Sequence, residues 1–533
     1  MTRNEDVMQQ TTTNSRLHVI AFVSTLLVVL VNLSTGVTWA AKPNVLFVCF
    51  DDLRPELGCY GNREIKTPNI DRFAKQGVTF TRAYCQSAVC APSRATVMTG
   101  LRPDSTRVWD LRGKFRENLP DVVTIPQHFR GHGYYTVSMG KIFHNHMPDR
   151  ISFDEPDLRP ANYATPELID RDPESFYHDE SLKQELAQVR QRRLLQNPNA
   201  YANGWAYGRS TESFDAPDNE FYDGAQTELA IETMARLRNN KEPFFLALGY
   251  YRPHLPFVAP KKYWDLYDRE SLPMATNPFL PKDAPVMAMD SAYELKGCYD
   301  FEHVKHPSVA RLTDKEARML RHGYYASVSF VDACFGRLMR GLAELGMADN
   351  TIVVVWGDHG WKLGEHGSWC KQTNYEIDTR VPLIVRAPGI AVEGSKSSAL
   401  VELVDLYPTL CDLAKIPVPS SLEGTSFAPL LSDAELNWKT SAFSQFHRYP
   451  RVTPDGKDYM GLSIVTSRYH YVEWHLWNDI DKSVGPLAAV ELYDLQDDPN
   501  ENTNIGQQET SKLLVEDLSK QLHRGWRSAV PPR

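Results

Sequence analysis

Hydrophobic positions in this chain gather in short unbroken runs that stop abruptly on polar or charged residues. The run Asn44-Val45-Leu46-Phe47-Val48-Cys49-Phe50 ends on Asp51 and Asp52, and similar runs recur at Phe244–Tyr250, at Ile352–Gly357 before Asp358 and His359, and at Val381–Val385. Runs of this kind predict strands buried on both faces, as in a parallel sheet, with the residues that follow each run at its carboxyl end, where such sheets carry their chemistry. Between the second and third runs the period changes. Thr313 and Glu316 form a capping-box start, and Tyr324, Val328, Val331, Phe335, Leu338 and Leu342 follow at helical spacing before Gly346, which predicts one long helix. Strands alternating with helices predict an α/β fold with a large, mostly parallel central sheet flanked by helices.

Two regions break this rhythm. From about Met147 to Asp218 the chain is rich in Pro, Asn, Asp and Arg, with one polar helix expected near Leu182 to Leu194, and reads as a surface excursion. After about Asn437, short runs such as Leu462–Val465 and Tyr469–Trp474 sit between turn residues and predict a smaller antiparallel sheet. At the other end, Arg16 and His18 lead into an apolar run from Val19 to Val31, with small residues around Thr38 and Ala40 suited to cleavage. The run falls short of the roughly 20 apolar residues that span a bilayer, so a cleaved export signal is expected rather than an anchor. Glu5 and Asp6 are unusual in such a leader, and Met8 offers an alternative start. The expected division is a signal peptide at 1–40, a main region at 41–436 and a smaller C-terminal α+β subdomain at 437–533.

Composition narrows the class. The 533 residues carry 58 Lys and Arg against 67 Asp and Glu, for a formal charge of −9, with no sustained basic stripe; this excludes an ordinary nucleic-acid binder. With 42% apolar residues the chain is a typical globular protein. Eight scattered cysteines do not make a disulfide framework or a paired zinc motif, though an exported chain leaves room for one or two bridges.

The segment with the most specific chemistry is Cys90-Ala91-Pro92-Ser93-Arg94-Ala95-Thr96-Val97-Met98-Thr99-Gly100. Pro92 suits a first helical turn, which sets Cys90 at a helix N-terminus, where free N–H groups and the dipole favour an anion, and Arg94 adds a cation beside it. A thiolate at a helix start, or a simple buried cysteine, fits the local physics equally well.

Cys90-x-Pro92-Ser93-Arg94 followed by Thr99-Gly100 resembles the signature of the type I, formylglycine-dependent sulfatase family, in which the cysteine is oxidised after translation. Asn44–Asp52 with Thr67–Asp71 resembles the amino-terminal block of that family, and Gly133–Thr136 leading to Gly140-Lys141-Ile142-Phe143-His144 resembles its second signature. The likeness reaches Glu491–Leu495 and Asp498-Pro499. Asp358–Gly367, Val401–Thr409 and Ala442–Phe446 are similar to the iduronate-2-sulfatase branch in particular.

The resemblance implies an alkaline-phosphatase-like fold and a sulfuric ester hydrolase. It assigns catalysis to Cys90, Arg94, Lys141, His144, His254 and Lys371, and one metal ion to Asp51, Asp52, Asp358, His359 and the converted Cys90. Strand-end aspartates are hard oxygen ligands suited to Ca2+ or Mg2+. His359 stands where many sulfatases carry Asn, a departure that bears on the ion's identity; the Asp-His-Gly-Trp of the iduronate-2-sulfatase branch favours calcium over magnesium. Catalysis would use the hydrated aldehyde: one hydroxyl attacks sulfur, His254 and Lys371 help the alcohol leave, and His144 takes the proton of the second hydroxyl as sulfate is expelled. A sulfated glycan bearing a uronic acid or related sugar is the expected substrate, with Arg252, Trp109, Trp361 and His447 as candidate pocket residues; Arg252 pairs a sugar carboxylate or serves a structural ion pair. Expected partners are that carbohydrate and a formylglycine-generating enzyme, without nucleic acid or a stable membrane anchor, in the periplasm, outside the cell or in a lysosome. The alternatives are a metal-dependent phosphoesterase of the same superfamily, or a sulfated-glycan binder in which Cys90 is never converted.

Overall fold

The computed structural model describes residues 42–144, 147–160, 177–198, 208–290, 292–449, 453 and 455–531; the expected signal peptide at 1–40 lies outside them. Strands Asn44–Phe50, Phe244–Tyr250 and Thr351–Gly357 are buried along their whole length, which is why their sequences lack polar alternation. Side chains alternate across Asn44–Phe50. Leu46, Val48 and Phe50 enter a core shared with Tyr324, Val328, Val331, Phe335 and Leu338 of the long helix Asp314–Glu344, whereas Val45, Phe47 and Cys49 enter a second core with Ala91, Ala95 and Met98 of helix Cys90–Thr99. Each fully buried large side chain contributes roughly 1.5–3 kcal/mol. The predicted capping box is formed, with Glu316 N–H donating to the Thr313 hydroxyl and Thr313 N–H to the Glu316 carboxylate.

Among the described residues the central sheet has nine strands. In order across it lie Lys396–Ser397, Val78–Tyr84, Arg380–Arg386, Thr351–Gly357, Asn44–Phe50, Phe244–Tyr250, Tyr135–Gly140 and Glu155–Leu158, with Val401–Glu402 also pairing to Val78–Tyr84. The pairings are parallel except at one strand. Arg380–Arg386 runs antiparallel to both of its neighbours, contrary to the parallel reading of Val381–Val385. The chain leaves Thr351–Gly357 at its carboxyl end and re-enters the sheet from that same edge, whereas a parallel return needs a crossover to the opposite edge. Burial on both faces produces the same apolar run in either direction.

The polar helix in the surface excursion spans Glu180–Gln196. Toward the C-terminus, Ala442–Arg448, Tyr459–Val465, Tyr469–Asn478 and Ser483–Asp494 pair in succession as an antiparallel sheet. One face packs Phe446, Tyr459, Trp474 and Tyr493 against Val89 and Tyr375; the other packs Ile464, Tyr471 and Leu492 against Leu518 and Leu522 of helix Lys512–Arg524. All eight cysteines are free. Among the described residues no helix is long and apolar enough to cross a membrane.

Candidate active site

Parallel strands that end at one edge bring their trailing residues together. Asp51 and Asp52 follow Asn44–Phe50, Lys141 follows Tyr135–Gly140, Arg252 and His254 follow Phe244–Tyr250, and Asp358 and His359 follow Thr351–Gly357. Cys90 is the first residue of helix Cys90–Thr99, after Val89 in extended conformation. Its Sγ lies 3.4 Å from Asp51 Oδ1, 3.2 Å from His359 Nε2 and 3.9 Å from Lys141 Nζ.

Around this centre the charges interlock. Arg94 is wholly buried and pairs with Asp358 at 2.9 Å and Asp51 at 3.2 Å, so it positions the carboxylates. Lys141 pairs with Asp51. Lys371 pairs with Asp52 at 2.7 Å and with Glu294 at 2.9 Å, and Glu294 in turn meets His254 Nε2 at 2.7 Å. Asp52 sits in the left-handed region with φ 65°, and Cys370 and Gln372, on either side of Lys371, do so with φ 67° and 77°. Non-glycine residues held there carry strain of order 1–3 kcal/mol each, and such strain concentrates at functional sites.

Four buried carboxylates, Asp51, Asp52, Asp358 and Glu294, therefore face three fixed cations, Arg94, Lys141 and Lys371. Burial alone would raise Asp51, but Lys141, His254, Arg94 and Lys371 outweigh it and hold the carboxyl well below its usual range. Asp52 goes the other way: burial, with Asp51 and Glu294 beside it, pushes it up to about 8 despite Lys371 and His359. Its Oδ2 is buried without a hydrogen-bond partner. That orphaned oxygen, on a carboxyl that ionises readily only with a further positive charge beside it, fits a bound cation. His359 fits as well, because Nδ1 faces the Gly360 carbonyl at 3.0 Å, an acceptor that fixes the proton on Nδ1 and leaves the Nε2 electron pair toward the site. Donor atoms of Asp51, Cys90, Asp358 and His359 all lie within 4.8 Å of one another. The Cys90 thiol is pushed well up, by burial first and then by Asp51, against the pull of Lys141 and Lys371. That direction speaks against the thiolate reading of a helix start.

The remaining candidates separate. His144 is buried and lines, with Arg94, Lys114 and Arg116, a cavity of about 290 Å³. Arg252 is buried and donates its guanidinium to the His254 carbonyl, while its backbone N–H donates to Asp223 at 3.0 Å; it shapes the loop that carries His254. Trp361 is buried with the Lys371 ammonium 5.1 Å from its ring centroid, so it supports the lysine. Trp109 and His447 group with Trp477, their rings 5.3 and 5.5 Å from its ring, and His447 Nε2 meets Asp458 at 2.6 Å. Glu294, Asp223 and Trp477 were not identifiable from sequence. Glu294 lies in an irregular segment of short 3-10 turns with no motif or period, and only for Trp477, in the alternating run that starts at Tyr469, was there any local signal.

A sulfatase family model matches residues 43–416, and a model of the N-sulphoglucosamine sulphohydrolase C-terminal region matches 364–527. Human iduronate 2-sulfatase is 33% identical over 520 residues, covering 87% of this chain and 90% of that protein. A sulfatase of Formosa agariphila is 31% identical over 490 residues, covering 90% of this chain and 85% of that protein. The fold is shared with the phosphonate monoester hydrolase of Silicibacter pomeroyi at a TM-score of 0.71 and 24% identity, covering 92% and 96% of the two chains. It is also shared with a protein solved in complex with its substrate D-glucosamine-2-N,6-O-disulfate, at 0.66 and 23%, covering 91% and 99%. The family match across the sheet and its charged edge, together with relatives above 30% identity over most of their length, shows that the chain belongs to the sulfatase family and is a sulfuric ester hydrolase.

Proposed function

We propose that this sulfatase removes a sulfate ester from a uronic acid or related sugar of a sulfated glycan, in the manner of iduronate-2-sulfatase, through a formylglycine made from Cys90. The observation that carries this reading is the setting of Cys90, first in its helix, within 3.4 Å of Asp51 and 3.2 Å of His359. The Cys90-x-Pro92-Ser93-Arg94 segment within the matched sulfatase region supports conversion. The 33% identity to human iduronate 2-sulfatase supports the substrate class.

Asp51, Asp52, Asp358 and His359 would hold a hard divalent cation, Ca2+ in preference to Mg2+, which would acidify an adjacent hydroxyl and offset sulfate charge. Oxidation of the Cys90 thiol to an aldehyde by a formylglycine-generating enzyme, with hydration to a geminal diol, would supply one oxygen to attack sulfur and a second whose electron pair re-forms the aldehyde as the bond from carbon to the sulfated oxygen breaks and sulfate leaves. The other groups belong to the chain itself. Arg94 holds Asp51 and Asp358 in place, and Lys141 provides a cation beside the nucleophile. Lys371 and His254, joined through Glu294, are the pair suited to the leaving oxygen, His254 as proton donor and Lys371 as fixed charge. His144 is assigned the proton of the remaining hydroxyl. Export through residues 1–40 belongs to the same reading and places the enzyme where sulfated glycans are met.

The test is the mass of the Cys90 peptide from a maturation-competent host, followed by a panel of sulfated saccharides. A loss of about 18 Da relative to cysteine is expected for the aldehyde, with faster sulfate release from terminal sulfated uronates than from sulfated neutral sugars. An unmodified thiol in active enzyme overturns the formylglycine step; an unmodified, inactive protein that still binds sulfated glycans favours the binder. Faster turnover of neutral sugar sulfates overturns the substrate assignment alone.

A further inference from the structure

Far from the nucleophile along the chain, three metal-ligating side chains converge where helix Lys512–Arg524 meets the antiparallel sheet. Glu473 and His475 are two apart on strand Tyr469–Asn478, so both project from one face. His523 belongs to the last turn of the helix, next to Leu522, which anchors that helix on the sheet. Glu473 Oε2 lies 2.8 Å from His475 Nε2 and 2.9 Å from His523 Nε2. Its other oxygen accepts from the Tyr471 hydroxyl at 2.9 Å, so the carboxylate is fixed in orientation.

His475 pairs with Glu473, which raises its pKa, so a proton and a metal ion compete for the place between them. Its Nδ1 faces the Gly485 carbonyl at 3.0 Å. A carbonyl only accepts, so Nδ1 keeps its proton, and in the neutral ring Nε2 presents an electron pair to a carboxylate oxygen. Two electron-rich atoms at hydrogen-bond distance need a cation between them, either a proton or a metal ion. A ring whose far nitrogen donates to a carbonyl is the usual outer-shell support of a metal-binding histidine. The side chain of Glu473 is 2% exposed while that of His523 is 57% exposed, which gives the cluster a buried anchor and an open entry.

We propose that Glu473, His475 and His523 form a second metal site, selective for zinc-type divalent ions, that ties the C-terminal helix to the antiparallel sheet. Two imidazoles and one carboxylate are a borderline donor set, softer than the oxygen-rich cluster at Asp51 and Asp52, with a fourth position left for water. Ligands about 2.0–2.2 Å from one tetrahedral ion stand roughly 3.3 Å apart, so the two contacts to Glu473 need open by only about half an ångström, and all three donor atoms already lie within 4.8 Å of one another. No step of sulfate ester hydrolysis involves these residues.

The experiment uses full-length mature enzyme and the variants His475→Gln and His523→Gln, titrated with Co2+ and followed by visible spectroscopy and by metal content after dialysis. Wild type is expected to bind one more ion than either variant, with a tetrahedral cobalt band the variants lack, and Zn2+ is expected to raise its Tm but not theirs. Hydrolysis of an aryl sulfate before metal addition should be the same in all three, which confirms folding; His523→Gln changes a mostly exposed side chain. Equal metal content in wild type and both variants, or a Zn2+ shift of equal size in all three, overturns the site.

Discussion

Two buried charge clusters in this molecule use the same side chains to opposite ends. Beneath the edge of the antiparallel sheet, Arg102 grips Glu402 with two bonds of 2.9 and 2.8 Å, and Lys439 reaches Glu402 at 2.8 Å and Asp405 at 2.7 Å. The remaining capacity is taken by backbone: Phe443 N–H donates to Glu402, and Thr425 and Glu402 N–H groups donate to Asp405. Two carboxylates meet two cations, and each carboxylate oxygen has a partner. At the strand ends, four carboxylates meet three cations, Asp52 Oδ2 has no hydrogen-bond partner and the Asp52 backbone is strained. A cluster whose carboxylate oxygens are all partnered joins structural parts; one with an orphaned carboxylate oxygen is set up to receive something charged.

The sharpest way to break this comparison is to neutralise one carboxylate in each cluster. Asp52→Asn should lower sulfatase activity by on the order of 10³-fold or more, about 4 kcal/mol of transition-state stabilisation. It should leave the Tm of metal-depleted protein nearly unchanged at neutral pH, because a carboxyl pushed up to about 8 carries little charge there and Lys371 keeps its pair with Glu294. Glu402→Gln should do the reverse, lowering stability by about 3–5 kcal/mol, since Lys439 and Arg102 lose a buried partner, while activity per folded molecule persists. Calorimetry beside initial rates reads both, and a large Tm loss in Asp52→Asn would erase the distinction.

How much of this was legible in the sequence follows from what each feature depends on. Asp51, Asp358 and Cys90 were legible because each follows a local pattern, an apolar run that ends or a proline-marked helix start. The direction of Arg380–Arg386 was not, because a strand buried on both faces carries no mark of its orientation. Glu294 was missed for a related reason: it reaches His254 and Lys371 from an irregular segment by tertiary contact alone. Of the four expected pocket residues, the two chosen nearest the motifs, Arg252 and Trp361, are buried among site residues, whereas Trp109 and His447 flank Trp477. Side-chain burial of this kind is decided by packing between elements that are distant in sequence.

A smaller effect tests the balanced cluster by pH. Burial alone would raise Glu402, but Arg102 and Lys439 bring it down to about 2 from 4.5. A carboxyl lowered on folding contributes stability that is fully present above its unfolded value and is lost as pH falls toward the folded one. Wild type should therefore lose Tm between pH 4.5 and 2 more steeply than Glu402→Gln. Asp405 is raised by burial and pulls in the opposite direction, so the informative quantity is the difference between the two proteins. Parallel curves across that window would show that Glu402 is not held ionised by its neighbours.

The smallest effects concern substrate selection, where the aromatic group at Trp477 is set against the buried Arg252. If Trp109, His447 and Trp477 contact the glycan, Trp109→Ala should raise KM for a sulfated oligosaccharide by about 3- to 10-fold with kcat unchanged, the pattern of uniform binding lost. KM for a small aryl sulfate should not move, because such a substrate does not extend beyond the nucleophile. Arg252→Ala should behave differently, since its guanidinium supports the His254 carbonyl and its backbone is tied to Asp223. It should lower kcat on the aryl sulfate as well as on the glycan, through displacement of His254. If Arg252→Ala instead spares the aryl sulfate and selectively removes preference for uronates over neutral sugars, the guanidinium contacts the sugar carboxylate and its apparent structural role is secondary.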